Sequence, residues 1–460
     1  MTHPGNQEYA PTPKSDMPGI VWPAVPGSAA ASTFSVLAQL ELSQWWSQDA
    51  LLRHQLRQAT EIVSFAAQNV PFYRNRLAPF ANPSRALTLQ QLQTISLLRR
   101  SDLQRAGDAL LPEKPPNGHG QNFDVSTSGS TGEPVVVKWN GVMGRIQSAF
   151  VLRSHLWHRR DFRGKVAVIR RLTDDVVENA KKATSAHWST EYRSGSIVFF
   201  DIGGSVDDAL DWIAREEPDY LSIYPTYLRA MIDVGEAKGF RPAKLKQIET
   251  FSEVLDPNLR QRCAEVWNVP IVDRYAAQET GFLGLQCPEC DRYHVQSEFN
   301  LIEILDEDGQ QCGPGEIGRV VVTSLHNFAT PLIRYDLGDF ALVGEPCRCG
   351  RGLPVLDAIY GRARNMFRAP DGSRFGVTPG RCRFEEITPI RQVQLVQKSL
   401  AAVELKFVAS RSLTEEEEAR ARESVYRVVP RTFSVTLNRV EAIPRSSGGK
   451  YEDVISEVVD

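Results

Sequence analysis

The run STSGSTGEPVVVKW, residues 126–139, decides the fold. Seven of its first nine positions are Ser, Thr or Gly, and an apolar β-run follows directly. Small residues let backbone N–H groups approach an anion, and hydroxyls add donors, so the loop suits a polyphosphate. It is not a Walker A loop, which needs four residues between its glycines and then Lys-Ser/Thr. Here two residues separate Gly129 from Gly132, and Glu133 follows. Standing alone, the run also reads as a Ser/Gly linker.

Outward from this loop, from about 120 to 360, short apolar runs alternate with helical stretches. VVVKW, KVAVIRR, SIVFFDI, PDYLSIYP, PIVDRY and GRVVVTSL read as strands, and DDALDWIAREE and YLRAMIDVGEAKG as helices between them. That alternation predicts an α/β core with substantial parallel pairing. Before it, Leu37, Leu40, Trp45, Leu52, Leu56 and Ile62 recur at helical spacing until Pro71. After about residue 363, AAVELKFVAS and SVTLNRVEAI read as strands around a helix, LTEEEEARARESVYRVV. Thr414 is its expected N-cap, with Glu417 three residues on. The organisation expected is a flexible arm over 1–32, a large α/β domain over 33–362 with mixed sheets and helices, and a small α+β domain over 363–460.

Composition narrows the class. The chain has 460 residues, with 53 Lys plus Arg against 56 Asp plus Glu, 42% apolar and 24% charged. That excludes a charged tail and disfavours nucleic acid as a partner, since no strong positive field exists. No segment reaches 18 uninterrupted apolar residues, so no membrane partner is expected. The polar, proline-rich N-terminus lacks the pattern of a secretory signal, so the expected location is cytoplasmic. The seven cysteines then read as reduced thiols or metal ligands.

Four more loops carry chemistry. DRYAAQETGF (273–282) places Glu279 after a strand, where a carboxylate suits magnesium. ATPLIRYDLGDF (329–340) places Asp339 in a Gly-Asp turn able to accept two hydrogen bonds from a ribose diol; an Asp there also stabilises its own turn. IYGRARNMF (359–367) lies at the domain boundary. PRSSGGKYED (444–453) presents Lys450 on a Gly-rich loop.

In this order the five motifs resemble the adenylate-forming (acyl-CoA synthetase) superfamily. VPFYRNRL at 70–77, TPLIRYDLGD, and CRCGR ahead of the Gly-Arg resemble its phenylacetate–CoA ligase-like branch. The resemblance spans roughly residues 60–455. It implies that Thr127, Ser128, Gly129, Ser130, Thr131 and Gly132 hold the ATP phosphates. Ser252, Glu253 and Val254 would line the adenine pocket, Tyr275 would stack there, and Gln278 would sit beside Glu279, the magnesium ligand. Asp339 would take the ribose hydroxyls, assisted by Arg362. Arg364 occupies the hinge position, and Lys450 is the adenylation lysine. Trp188, Tyr224, Pro225 and Ala277 are the acid-pocket candidates.

The implied activity is AMP-forming ligation of an aryl or arylacetic acid to coenzyme A. The alternatives are an adenylating ligase serving a carrier protein or amine, and a catalytically silent zinc-containing scaffold. A homodimer is compatible with all three. The pattern departs from the family at Ala276, Gln278 and Glu133, where Gly, Thr and Lys are usual. It departs again after the hinge, where RAPDGSRFGVTPGR replaces a Gly-rich stretch.

CPEC supplies Cys287 and Cys290, His294 follows four residues later, and CRCG supplies Cys347 and Cys349. A Cys-Pro-x-Cys turn is a frequent zinc knuckle. Five candidates compete for four tetrahedral positions. The resemblance favours Cys287, His294, Cys347 and Cys349 around a closed structural zinc, with Cys290 beside it or as an alternative ligand. Cys263, Cys312 and Cys382 have no partner at metal spacing.

Overall fold

Helix starts and stops follow local chemistry in the large domain. Ser205 caps Val206–Glu216 by accepting from the Asp208 amide at 3.0 Å, and two aspartates occupy the first turn. Pro225 and Pro257 each open a helix at its first position, where no N–H is needed. Val206–Glu216 and Pro257–Trp267 end on left-handed residues, Glu217 at φ 43° and Asn268 at φ 57°. The computed structural model describes residues 11–126, 134–172, 187–362, 365–371, 374–377, 382, 384–387, 389–444 and 452–458.

Between these helices run five strands that pair in parallel, in the order Ile197–Asp201, Val166–Arg170, Tyr220–Ile223, Gln247–Thr250, Ile271–Ala277. The expected α/β core is present. At Ile271–Ala277 the same sheet turns antiparallel, continuing through Gly281–Gln286, Tyr293–Val295, Val355–Arg362, Tyr335–Val343, Ile317–Ser324 and Asn300–Leu305. Eleven strands result among the described residues. The switch occurs at Gly281, whose φ is 75°; a Cβ there would lie 2.1 Å from the Gln147 amide.

Two sequence readings change. Val136–Trp139 does not enter the large sheet; it pairs antiparallel with Phe123–Ser126, so the glycine loop joins the two arms of a hairpin. Residues 127–133 lie outside the described residues. The long N-terminal helix is two, Ser28–Ser43 and Gln48–Asn69. Ser47 starts the second by capping the Ala50 amide at 3.3 Å, and Trp45 is left exposed at the break. Ahead of them the chain is tied down at Lys14, whose amide donates to the Glu191 carbonyl at 2.8 Å.

The small domain has its own core around Phe367, Leu395, Leu405, Val425 and Phe433. Its main sheet has four strands among the described residues, in the order Ser434–Arg439, Ala402–Ala409, Ile390–Ser399, Val454–Ser456. The helix Glu415–Val425 carries the predicted capping box: Thr414 accepts from the Glu417 amide, and Glu417 accepts from the Thr414 amide at 2.8 Å. No helix among the described residues is long and apolar enough to cross a membrane.

Candidate active site and metal centre

Asp339 and Arg362 are cross-strand partners, which places carboxylate and guanidinium on one face of the sheet. Arg362 Nε lies 3.4 Å from Asp339 Oδ1, and its Nη1 donates to the Leu337 carbonyl at 2.7 Å. Gly338, at φ 78°, makes room: a Cβ there would sit 3.1 Å from Arg362 Nη1. Tyr275, on the antiparallel switch strand, donates to Asp339 Oδ2 at 2.9 Å. Burial, and then the Asp339 charge, push the Tyr275 phenol well above its ordinary value, so it remains a donor. Burial would lower the Arg362 value, but Asp339 and Glu279 outweigh it and raise it. Asp339 is thus oriented through both oxygens.

Glu279 is 2% exposed, in the turn that follows the switch strand. Tyr335 donates to its Oε1 at 3.4 Å, and Arg100 Nη1 lies 3.5 Å from that oxygen. Trp139 donates its indole N–H to the Glu279 carbonyl at 3.4 Å, linking the hairpin after the glycine loop to this corner. Both side-chain contacts fall on Oε1, and a hard carboxylate oxygen fits magnesium. Arg100 escaped the sequence reading because it lies on a short helix, Arg100–Ala106, far from every motif. Tyr335 stood inside a quoted motif, yet only the sheet register shows it reaching Glu279.

Ser252 adopts φ 68°, a left-handed conformation that costs a non-glycine residue on the order of 1 kcal/mol. The turn delivers Glu253 to the helix Pro225–Ala237, where its carboxylate accepts from the Thr226 amide at 3.0 Å and hydroxyl at 2.8 Å. Val254, 43% exposed, lies against Gly361. Gln278 is exposed. The acid-pocket candidates fall in different neighbourhoods. Trp188 stacks on His155 with centroids 4.3 Å apart, whereas Tyr224 packs on Phe251 at 4.7 Å. Pro225 begins the next helix, and Ala277 is half-buried at the end of the switch strand. Arg364 and Lys450 lie outside the described residues, as do Thr127, Ser128, Gly129, Ser130, Thr131 and Gly132.

The fold brings the cysteine clusters together. Ligand atoms of Cys287, His294, Cys347 and Cys349 all lie within 4.8 Å of one another. Cys287 Sγ is 3.8 Å from Cys347 Sγ, and Cys349 Sγ is 3.2 Å from His294 Nε2. Two sulfurs about 2.3 Å from one tetrahedral ion sit about 3.8 Å apart, so the spacing suits zinc. The Glu289 amide points at Cys287 Sγ from 3.4 Å, a donor that stabilises a thiolate. Cys290 Sγ lies 3.6 Å from Cys347 Sγ, beside the quartet. His294 pairs with Val355 at the start of the strand that ends in Arg362.

Known proteins share the fold. Residues 382–457 match the family described as CapK C-terminal domain. A phenylacetate–coenzyme A ligase of Pseudomonas putida is 27% identical over 347 residues, 72% of this chain and 74% of that protein. A phenylacetate–coenzyme A ligase of Thermus thermophilus is 25% identical over 452 residues, 88% and 98% respectively. A 2-hydroxyisobutyryl-CoA ligase, crystallised in the postadenylation state with 2-HIB-AMP, superposes with TM-score 0.72 at 18% identity over 90% of each chain. The same ligase with 2-HIB-AMP and CoA in its thioesterification state gives 0.58 at 18% identity, over 89% of this chain and 90% of that one.

The fold is that of the adenylate-forming, or acyl-CoA synthetase, superfamily. Within that class the sequence is similar to the phenylacetate–CoA ligase branch.

Proposed function

We propose that this chain is an AMP-forming acid–thiol ligase that activates an aryl or arylacetic acid and passes the acyl group to coenzyme A. The observation that carries the reading is the convergence of Tyr275, Asp339 and Arg362, with Glu279 in the turn that follows the strand of Tyr275. A ribose diol would donate to Asp339 in the orientation that Tyr275 and Arg362 impose. Glu279 would hold magnesium, which when bound offsets phosphate charge.

The substrate carboxylate attacks the α-phosphorus, the bond to pyrophosphate breaks, and an acyl-adenylate forms. Two anions approach each other in this step, so cations aimed at the developing charge are worth several kcal/mol. Thr127–Gly132 would cradle the β- and γ-phosphates, and Lys450 would supply the ammonium. A coenzyme A thiol then attacks the acyl carbon and AMP leaves. The chain would divide at 362/363, with Arg364 at the hinge, so that Lys450 withdraws when the small domain turns. Cys287, His294, Cys347 and Cys349 would hold a structural zinc, with no open position for catalysis.

The test is pyrophosphate release from ATP and magnesium over a panel of aromatic, aliphatic and amino acids, with and without coenzyme A. Acid-dependent release from an aromatic acid, followed by a thioester only when coenzyme A is added, is expected. No release with any acid would sink the reading.

A further inference from the structure

At the segment after the hinge that departs from the family pattern, the described residues Met366–Arg368 pair antiparallel with Arg374–Gly376. One side of this pair belongs to the small domain. Phe367 is fully buried in that domain's core, with Phe375 packed against it. Gln397 fixes its backbone twice, accepting from the Arg368 amide at 2.9 Å and donating to the Arg368 carbonyl at 2.7 Å.

Among the described residues, the other side meets the large domain through Arg374 and Gly376. The Arg374 guanidinium lies 5.6 Å from the Phe340 ring centroid, and its Nε is 3.6 Å from Glu307 Oε1. Phe340 directly follows Asp339. Gly376 lies against the Tyr360 ring so closely that a Cβ would fall 2.2 Å from Cε1. Tyr360 is two residues before Arg362. Glu307 is 66% exposed, so the ion pair contributes little; the Arg374 side chain is only 12% exposed, and its seat on the buried Phe340 is the stronger contact.

We infer that Arg374 is a positioning residue: seated on Phe340, it holds the small domain in the orientation that serves adenylation and releases Phe340 when that domain turns for thiol transfer. The inference rests on the ligase reading above. It draws on a second observation, the better superposition on the postadenylation form (0.72) than on the thioesterification form (0.58) of one ligase. Phe340 and Tyr360 lie on the strands that carry Asp339 and Arg362, so the contact is tied to the site through the backbone of those strands.

The experiment uses the full chain with Arg374→Ala, Arg374→Lys and Gly376→Ala. Small-angle X-ray scattering without ligands should show an altered domain arrangement for Arg374→Ala and Gly376→Ala, and the wild-type profile for Arg374→Lys, which keeps a cation. With phenylacetate, ATP and magnesium, Arg374→Ala should release pyrophosphate roughly three- to tenfold more slowly. Transfer from supplied phenylacetyl-adenylate to coenzyme A should be undiminished. Unaltered scattering in Arg374→Ala, or equal loss in both half-reactions, overturns the inference. If the wild-type chain leaves every acid untouched, the ligase reading fails, and scattering still decides the contact.

Discussion

Tyr275 donates its phenolic hydrogen to Asp339 over 2.9 Å, although 64 residues separate them in sequence. The bond forms because the antiparallel part of the sheet brings the switch strand near Tyr335–Val343; Asp339 lies within that strand, paired with Arg362, and not in the turn expected from the sequence. A neutral donor to a carboxylate is worth about 1–3 kcal/mol. Tyr275→Phe should therefore weaken ATP binding about five- to tenfold by titration calorimetry, with little change in thermal midpoint. Asp339→Ala should weaken it further. Wild-type affinity in both variants would remove Asp339 from the nucleotide site.

Glu279 offers a second test. Its carboxylate is buried, and Tyr335 and Arg100 hold it through Oε1. Glu279→Gln keeps the shape and removes the charge. Acid-dependent pyrophosphate release should fall by roughly two orders of magnitude, and the magnesium concentration for half-maximal rate should rise. An unchanged magnesium dependence would assign the metal elsewhere.

How much of this was legible in the sequence depends on range. Val166–Arg170, Ile197–Asp201 and Tyr220–Ile223 announce themselves as short apolar runs; Tyr220–Ile223 is buried at every position, as a strand covered on both faces must be, whereas Ile197–Asp201 at the sheet edge is half-buried. The Thr414–Glu417 capping box is likewise local. The helix break at Ser47 is harder, since its apolar spacing runs straight across. The pairing of Val136–Trp139 with Phe123–Ser126 is not a property of either run alone. At the site, motif order names Asp339, Glu279 and Tyr275, but Arg100 carries no pattern, and only tertiary packing brings it to Glu279. The metal quartet lies between these cases: spacing supplies the residue types, and the sheet joins clusters about 57 residues apart.

That quartet predicts one zinc per chain. Purified protein should carry it by elemental analysis, and Cys347→Ser should lose it and unfold at lower temperature. The loss should be several kcal/mol, because the ion ties two distant segments. Cys290→Ser should keep the metal, since Cys290 lies beside the quartet. Loss of zinc in Cys290→Ser with retention in Cys349→Ser would reassign the fourth ligand.

Acid stability should follow the buried cluster behind the switch strand. Burial alone would raise the Glu249 carboxyl, but Arg274 and Arg160 outweigh it and hold it at about 2. The guanidinium contacts are 3.3 Å and 3.6 Å. A folded value below the unfolded one, near 4.5, stabilises above pH 4.5 and is lost as pH falls toward 2. His155, stacked on Trp188, is held well below its usual 6.5 chiefly by burial and then by Arg160, so it folds as the neutral ring. Its contribution is present above pH 6.5 and begins to fade below it. Denaturant unfolding from pH 7 to 3 should therefore show stability declining first from the buried histidines, His155 together with His158 and His326, and then, more steeply below pH 4.5, from Glu249. Glu249→Gln should cost about 3 kcal/mol at pH 7, because it leaves Arg160 and Arg274 without their shared carboxylate. The same variant should flatten the steeper acid limb. An acid limb equally steep in Glu249→Gln would place the critical proton on another group.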